Sequence, residues 1–400
     1  MPTETVELAG HIVDSLLLAK VLDLILEAGA DYEIEHFELG KTNLDPSVAR
    51  IRIAMDEEAA LDALLEQLQV HGANRSTVEN ATLEPAAVDG VLPSGFYSTT
   101  NLATDVRVDG HWRPVENPEM DCAIVVGARV RTVPMHRVRT GDPVVVGQLG
   151  VRVHAPDKPR DMRAFEFMAS DVSSEKPKAL LVRQIAARIR AAKASGGKLL
   201  AVCGPAVVHT GAAPDVARLV REGWIDVLFA GNGFATHDME SNVLGTSLGV
   251  SVAEGTPTEG GHSNHLRVIN EVRRHGSIAA AVDAGFVRGG VMYECVRHGV
   301  PFVLGGSVRD DGPLPDTIAD VVQAADAMRE LVPGIQVALM LASTLHAIAT
   351  GNLLPAGVET FCIDINQAVV TKLADRGSHQ ALGVVTDVGP FTRELADELC

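Results

Sequence analysis

Residues Ile225–Glu240 read IDVLFAGNGFATHDME. A short apolar run, a turn holding two glycines and an asparagine, and then a helical pattern form the grammar of a buried strand that passes into a crossover helix. The grammar recurs. KLLAVCGP, VPFVLGGS, IQVALMLAS, ETFCIDIN and ALGVVTDVG are apolar runs that end in polar or glycine turns, and PDVARLVREG, NHLRVINEVRRHG and PDTIADVVQAADAMREL are helical patterns among them. Short apolar strands alternating with helices predict an α/β fold whose parallel sheet is covered on both faces, here a Rossmann-like domain over residues 175–400.

Upstream the pattern differs. TVELAGHI, DYEIEHFELG and ARIRIAMD alternate with period two, whereas Leu16, Leu17, Val21, Leu22, Ile25 and Leu26 recur with helical spacing. Residues 1–88 therefore read as a small α+β module. Short β-like runs with turn signals follow (VRVDGHWRPV, CAIVVG, VRTVPM, TGDPVVVGQLGVRV), which makes residues 89–170 a β-rich domain. SDVSSEKPKA, residues 170–179, reads as the linker.

Four hundred residues exceed what one hydrophobic core usually supports, so several domains are expected. The formal charge of -18 repels a phosphate backbone, and aromatics at 4% are too sparse for base-stacking platforms. Nucleic acid is excluded as a partner. VALMLA, the longest kind of apolar stretch present, is far short of the ~20 residues of a membrane span, so the expectation is a soluble cytoplasmic protein without a membrane partner. The five cysteines are scattered without CxxC or His/Cys ligand spacing, which predicts free thiols and no metal site. Cys295, inside a helical pattern, reads as a buried inert thiol.

In an open parallel sheet, ligands bind beyond the carboxyl ends of the strands. The residues there are GPAVVHTG, GNG, GGSVRDDGP, LASTLHA, DIN and TDVGP. Glycine lets a backbone approach a pyrophosphate, helix N-termini offer free N–H groups, and carboxylates suit ribose hydroxyls. No G-x-G-x-x-G is present, so Asn232 and Gly233 also fit a plain corner with positive φ. Ser343 or Thr344 also fits a helix cap. In GGSVRDDGPLPD, Asp310 and Asp311 suit ribose binding or acid–base chemistry; alternatively Asp310 pairs with Arg309 and Asp316 caps the next helix. EGTPTEGGHSNH, residues 254–265, offers Glu254, Glu259 and His262 as proton carriers, or is a connection capped by Ser263 or Asn264. His237, Asp238 and Glu240 read as solvated or helix-capping residues.

GNGFATHDME, EGGHSNHLRVINEV, GGSVRDDGPLPDT, CIDINQAVVTKLADRG and VVTDVGPF together resemble the archaeal-type ornithine cyclodeaminases. The amino-terminal module is similar to the conserved region of lysine-oxoglutarate reductase/saccharopine dehydrogenase. The resemblance covers essentially the whole chain, with RDDGPLPDT its most specific element. It implies a carboxy-terminal domain related to the deoxyhypusine-synthase-like NAD-binding fold, with NAD contacts at Asn232, Gly233, Asp310, Asp311, Ser343, Thr344, Leu345, His346, Asp364, Asp387 and Val388. It also implies a homo-oligomer, dimer or tetramer, acting on ornithine as its small-molecule substrate. NAD takes hydride from the α-carbon, the δ-amine attacks the resulting imine, ammonia leaves, and the cyclic imine regains the hydride to give proline. Chemistry then points to Asp310, Asp311, Glu254, Glu259 or His262 as proton shuttle, and to Arg309 or Lys372 as partner of the substrate carboxylate. An amino-acid or saccharopine-type oxidoreductase and a non-enzymatic binding module are the rival expectations.

Overall fold

A computed structural model describes residues 1–13, 16–42, 45–154, 178–247, 250–251, 263–310, 312–375 and 381–400. They divide into two compact units, Met1–Glu166 with Leu354–Gly357, and Phe167–Leu353 with Val358–Cys400.

The first unit opens with β1 (Thr3–Gly10), α1 (Leu17–Glu27), β2 (Asp31–Glu38), β3 (Ser47–Ala54), α2 (Glu58–Gln69) and β4 (Asn74–Arg75), whose strands form an antiparallel sheet in the order β2-β3-β1-β4. Period two in β3 puts Ala49, Ile51 and Ile53 inside and leaves Arg50 and Arg52 outside. Leu17, Val21 and Ile25 of α1 pack on that inner face. Leu16 and Leu26, part of the expected apolar stripe, are 68% and 58% exposed instead. Leu16 lies outside the helix at φ 54, which rotates its side chain out of the stripe.

Seven further strands follow: β5 (Thr82–Pro85), β6 (Thr104–Val108), β7 (His111–Pro114), β8 (Ala123–Val126), β9 (Val130–Val133), β10 (Pro143–Val146) and β11 (Val151–Val153). They make two antiparallel sheets, β5-β10-β8-β9 and β11-β6-β7. PSGFYSTTNL supplies Asn101, which is fully buried and bonds Leu354 and Ala356 of the returning segment. Ala356 also packs against the valine-rich core formed here.

The second unit contains α3 (Lys178–Ala194), β12 (Lys198–Cys203), α4 (Ala206–His209), α5 (Ala213–Arg221), β13 (Val227–Gly231), α6 (Asn232–Leu244), the hairpin β14 (Thr246–Ser247) and β15 (Val250–Ser251), α7 (Asn264–His275), α8 (Ile278–Asp283) and α9 (Val291–His298). It continues with β16 (Phe302–Gly305), β17 (Thr317–Ile318), α10 (Val321–Leu331), β18 (Ile335–Leu341), α11 (Leu345–Leu353), β19 (Glu359–Asp364), α12 (Gln367–Asp375), β20 (Ala381–Val385) and α13 (Val388–Leu399). All pairings in the seven-stranded sheet are parallel, in the order β17-β16-β13-β12-β18-β19-β20. From β16 to β20 this is the doubly wound 3-2-1-4-5-6 order, with its switch point between β12 and β18. Phe229 and Phe361 are among the largest fully buried side chains, and each such ring contributes roughly 1.5–3 kcal/mol by leaving water.

Candidate functional site

At the switch point the backbone of Ala342 turns with φ 46, a left-handed conformation rare for a residue with a Cβ. Its amide donates to Ile363 at 2.9 Å, and its carbonyl lies where a Cβ on Gly204 would stand. Glycine at 204 is what lets β12 leave the sheet at this point. Beside it, Gly231 and Gly305 are register partners at the ends of β13 and β16. The His346 ring covers both: a Cβ at Gly231 would stand 2.9 Å from its Nε2, and one at Gly305 3.1 Å from its Cε1. Burial holds the His346 pKa below its usual value, partly opposed by Asp310. The ring is therefore a neutral imidazole laid across two strand ends.

Neither Asn232 nor Gly233 has positive φ. Their turn is an ordinary helix entry from Gly231, and the glycine that matters sterically is Gly231, because of His346. Asn232, 4% exposed, accepts through Oδ1 from the Leu314 amide at 2.9 Å and the Thr317 hydroxyl at 3.1 Å. It thereby fastens the loop after β16 to the start of α6. The helix begins on Gly231 without a side-chain cap or an acidic residue in its first turn, unlike α8, α10 and α13, which Ser277, Asp320 and Asp387 cap. Its free N–H groups fit the pyrophosphate of a dinucleotide.

Asp310 does not pair with Arg309; its Oδ2 accepts from the Ser307 amide at 2.8 Å. Asp316 caps a helix, but it is α8 rather than the next one, through the Ile278 amide at 2.7 Å. Ser343 and Asp364 are buried on the same edge, with Asp364 accepting from the Asn366 amide, and Thr344 and Leu345 are exposed. Asp387 Oδ1 accepts from Gly389, and Val388 is buried. Arg309 and Lys372 are both exposed. Arg309 follows β16, whereas Lys372 lies on α12 between β19 and β20. Asp311, Glu254, Glu259 and His262 lie outside the described residues. Among the described residues no group of three or more His, Cys, Asp or Glu is placed to hold a metal ion, and no helix is long and apolar enough to cross a membrane. Cys122, Cys203, Cys295 and Cys362 are buried free thiols, and burial pushes Cys362 up to about 12.

The residues trailing the quoted turn are not solvated. Asp238 is fully buried and accepts from the Val291 and Met292 amides at 3.0 and 2.9 Å, so its helix-capping role serves α9. Glu240 is fully buried too, bonded to His237 and Thr246. The sequence signal was present in the i, i+3 spacing of His237 and Glu240, but their burial comes from α4 and β14, which no local pattern reveals.

Strand order, switch point and uncapped helix start define a doubly wound α/β protein of the dinucleotide-binding class. Residues 183–395 match the Rossmann-fold C-terminal region of ArgZ-like arginine dihydrolases, residues 103–182 the first C-terminal region of the same proteins, and residues 3–102 the LOR/SDH bifunctional enzyme conserved region. The chain is 51% identical to the ornithine cyclodeaminase of Methanopyrus kandleri, over 99% of its own length and 97% of that protein's. It belongs to this family of archaeal enzymes. Among solved structures it is similar to apo ArgZ, a cyanobacterial arginine dihydrolase (TM-score 0.85, 38% identity, 100% of this chain and 58% of that one). It is also similar to the ternary complex of AgrE with ornithine and NAD+ (TM-score 0.55, 41% identity, 100% of this chain and 57% of that one).

Proposed function

We propose that the protein is an ornithine cyclodeaminase that converts L-ornithine to L-proline and ammonia. The near-full-length similarity to the Methanopyrus kandleri enzyme carries this reading. NAD is the cofactor, and when bound it accepts the hydride and returns it within one turnover, so none is consumed. The Rossmann-type edge supports its placement. The α6 N-terminus would receive the pyrophosphate, Asn232 and Gly233 would line it, and Asp310, Asp311, Ser343 through His346, Asp364, Asp387 and Val388 would complete the pocket. His346, neutral and packed on two strand ends, would close off water there. Arg309 or Lys372 would meet the substrate carboxylate.

The test is incubation with ornithine and a small fraction of one equivalent of NAD. Proline and ammonia in excess of NAD support the reading. NADH accumulating in step with product would instead make the protein a net oxidoreductase, and saturable binding of ornithine without turnover would make it a binding module.

A further inference from the structure

Gly233, His237 and Glu240 stand at i, i+4 and i+7 on α6 and so share one face of that helix. Facing them is the turn after β12, the strand at the switch point. Pro205 meets Gly233, its Cγ being 3.6 Å from where a Cβ would stand, and the His209 ring meets His237 edge-on with centroids 5.0 Å apart. One line of contacts thus runs from the Gly233 end of the helix, proposed to face the dinucleotide, to a nest of imidazoles. The nest is closed by β14 and α7: His209 Nδ1 lies 2.7 Å from Ser247 Oγ, the Thr246 hydroxyl donates to Glu240 Oε1 at 2.8 Å, Asn264 Nδ2 donates to Thr246 Oγ1, and the His265 ring is 6.3 Å from that of His237.

Burying a carboxylate and aligning three imidazoles beside it costs desolvation that an apolar packing would avoid. The arrangement has a definite chemical consequence. With Glu240 ionised its carboxylate only accepts, and the 2.9 Å contact between His237 Nδ1 and Glu240 Oε2 then puts the proton on Nδ1 and leaves Nε2 as a lone-pair acceptor. Among the described residues the charge-bearing groups around that ring are Glu240 on its own helix, His209 on α4 and His265 on α7, while β14 contributes Thr246 and Ser247. Desolvation, then the neighbouring His237, hold His209 below its usual pKa against the opposing pull of Glu240, which keeps a neutral imidazole beside the His237 ring.

We propose that His237 is the acid–base group of this site, with Glu240 and His209 as positioning residues, and that it serves the primary ammonium of a small amino-acid substrate. The proposal rests on the cyclodeaminase reading and supplies its proton path. Nε2 takes one proton from the α-ammonium, which frees the nitrogen lone pair to support loss of hydride from the α-carbon to bound NAD. The δ-nitrogen, which becomes positively charged on attacking the imine carbon, passes one proton to the α-nitrogen as that departs as ammonia. Once the hydride is back on the ring carbon, Nε2 returns its proton to the ring nitrogen, so His237 ends the cycle as it began and protons and electrons balance.

The experiment compares wild type, His237→Gln and Glu240→Gln. In wild type, proline formation itself tests the cyclodeaminase reading. Relative to wild type, His237→Gln should lose about 10²–10⁴-fold in kcat, within the usual range for a general acid–base group, while binding NAD within about twofold by titration. Glu240→Gln should lower kcat less and alter the pH profile of kcat/KM, because the carboxylate beside the His237 ring is gone. Retention of kcat within about threefold with an unshifted profile in both folded variants overturns the proposal. A readout free of turnover is the tautomer of His237 by nitrogen-15 histidine spectra, assigned with His237→Gln. Protonation on Nδ1 in wild type is expected, and a proton on Nε2 alone in wild type overturns the assignment even if the enzyme makes no proline.

Discussion

Asn232 performs two tasks with one amide. It starts α6 and it accepts from Leu314 and Thr317, so the loop carrying Asp310 is held by the same residue that begins the uncapped helix. Asn232→Ala leaves the buried Leu314 amide without its acceptor, which costs about 1–3 kcal/mol. The expected outcome is a lower urea midpoint together with weaker NAD binding. Unchanged NAD affinity in the folded variant would refute the cofactor assignment, whatever happens to the midpoint. Asp238 makes a different prediction at the same scale. Burial raises its pKa from 3.8 to about 6, against the two amides it accepts from. A carboxyl with a raised folded pKa contributes stability below its unfolded value, and that contribution is lost as pH rises through the folded value. Between about pH 4 and 6 this residue therefore makes the fold less stable as pH rises, and Asp238→Asn should flatten that part of the curve of urea midpoint against pH. A slope that persists unchanged would assign it to other groups.

At the scale of elements, the start of α9 depends on a glycine for a reason the sequence does not display. Gly290 has φ 99, and a Cβ there would stand 2.7 Å from Asp238 Oδ2 and 2.5 Å from Asn242 Nδ2. Gly290→Ala should therefore destabilise the fold by about 1–3 kcal/mol through backbone strain and displacement of the cap, read as a drop in Tm. An unshifted Tm would show that the Asp238 cap moves freely. The strands differ in how well the sequence announces them. β12, β13, β16, β18 and β19 are largely buried on both faces and so read as continuous apolar runs, whereas β20, at the sheet edge, alternates buried and half-buried residues. β17 is two residues long, as are β14 and β15, and two residues carry no period. The site shows the same division. Strand ends can be located from the runs that precede them, which is why Asn232 and Asp364 were legible. His209 against His237 is a meeting of α4 with α6, and Glu240 is buried by β14; both depend on tertiary packing rather than spacing.

At the scale of the molecule, the chain passes from one unit to the other more than once. Leu354–Gly357, between α11 and β19, belongs to the first unit: Asn101 Nδ2 donates to the Leu354 carbonyl, the Ala356 amide donates back to Asn101, and Leu354 is fully buried. Residues 178–400 produced alone should expose this short segment, bind a hydrophobic dye and melt about 4 °C or more below the intact chain. Equal melting of fragment and whole would show that the segment finds other cover.

That small return also bears on how such a protein can be inherited. A unit whose sequence is interrupted by four residues of its neighbour cannot be exchanged as a cassette, since any single recombination point within the chain strands part of one unit. The two cyanobacterial structures match 100% of this chain while it spans 58% and 57% of theirs, so in them both units are present together. The stitch at Leu354–Gly357 gives a physical reason for the pair to be transmitted as one block.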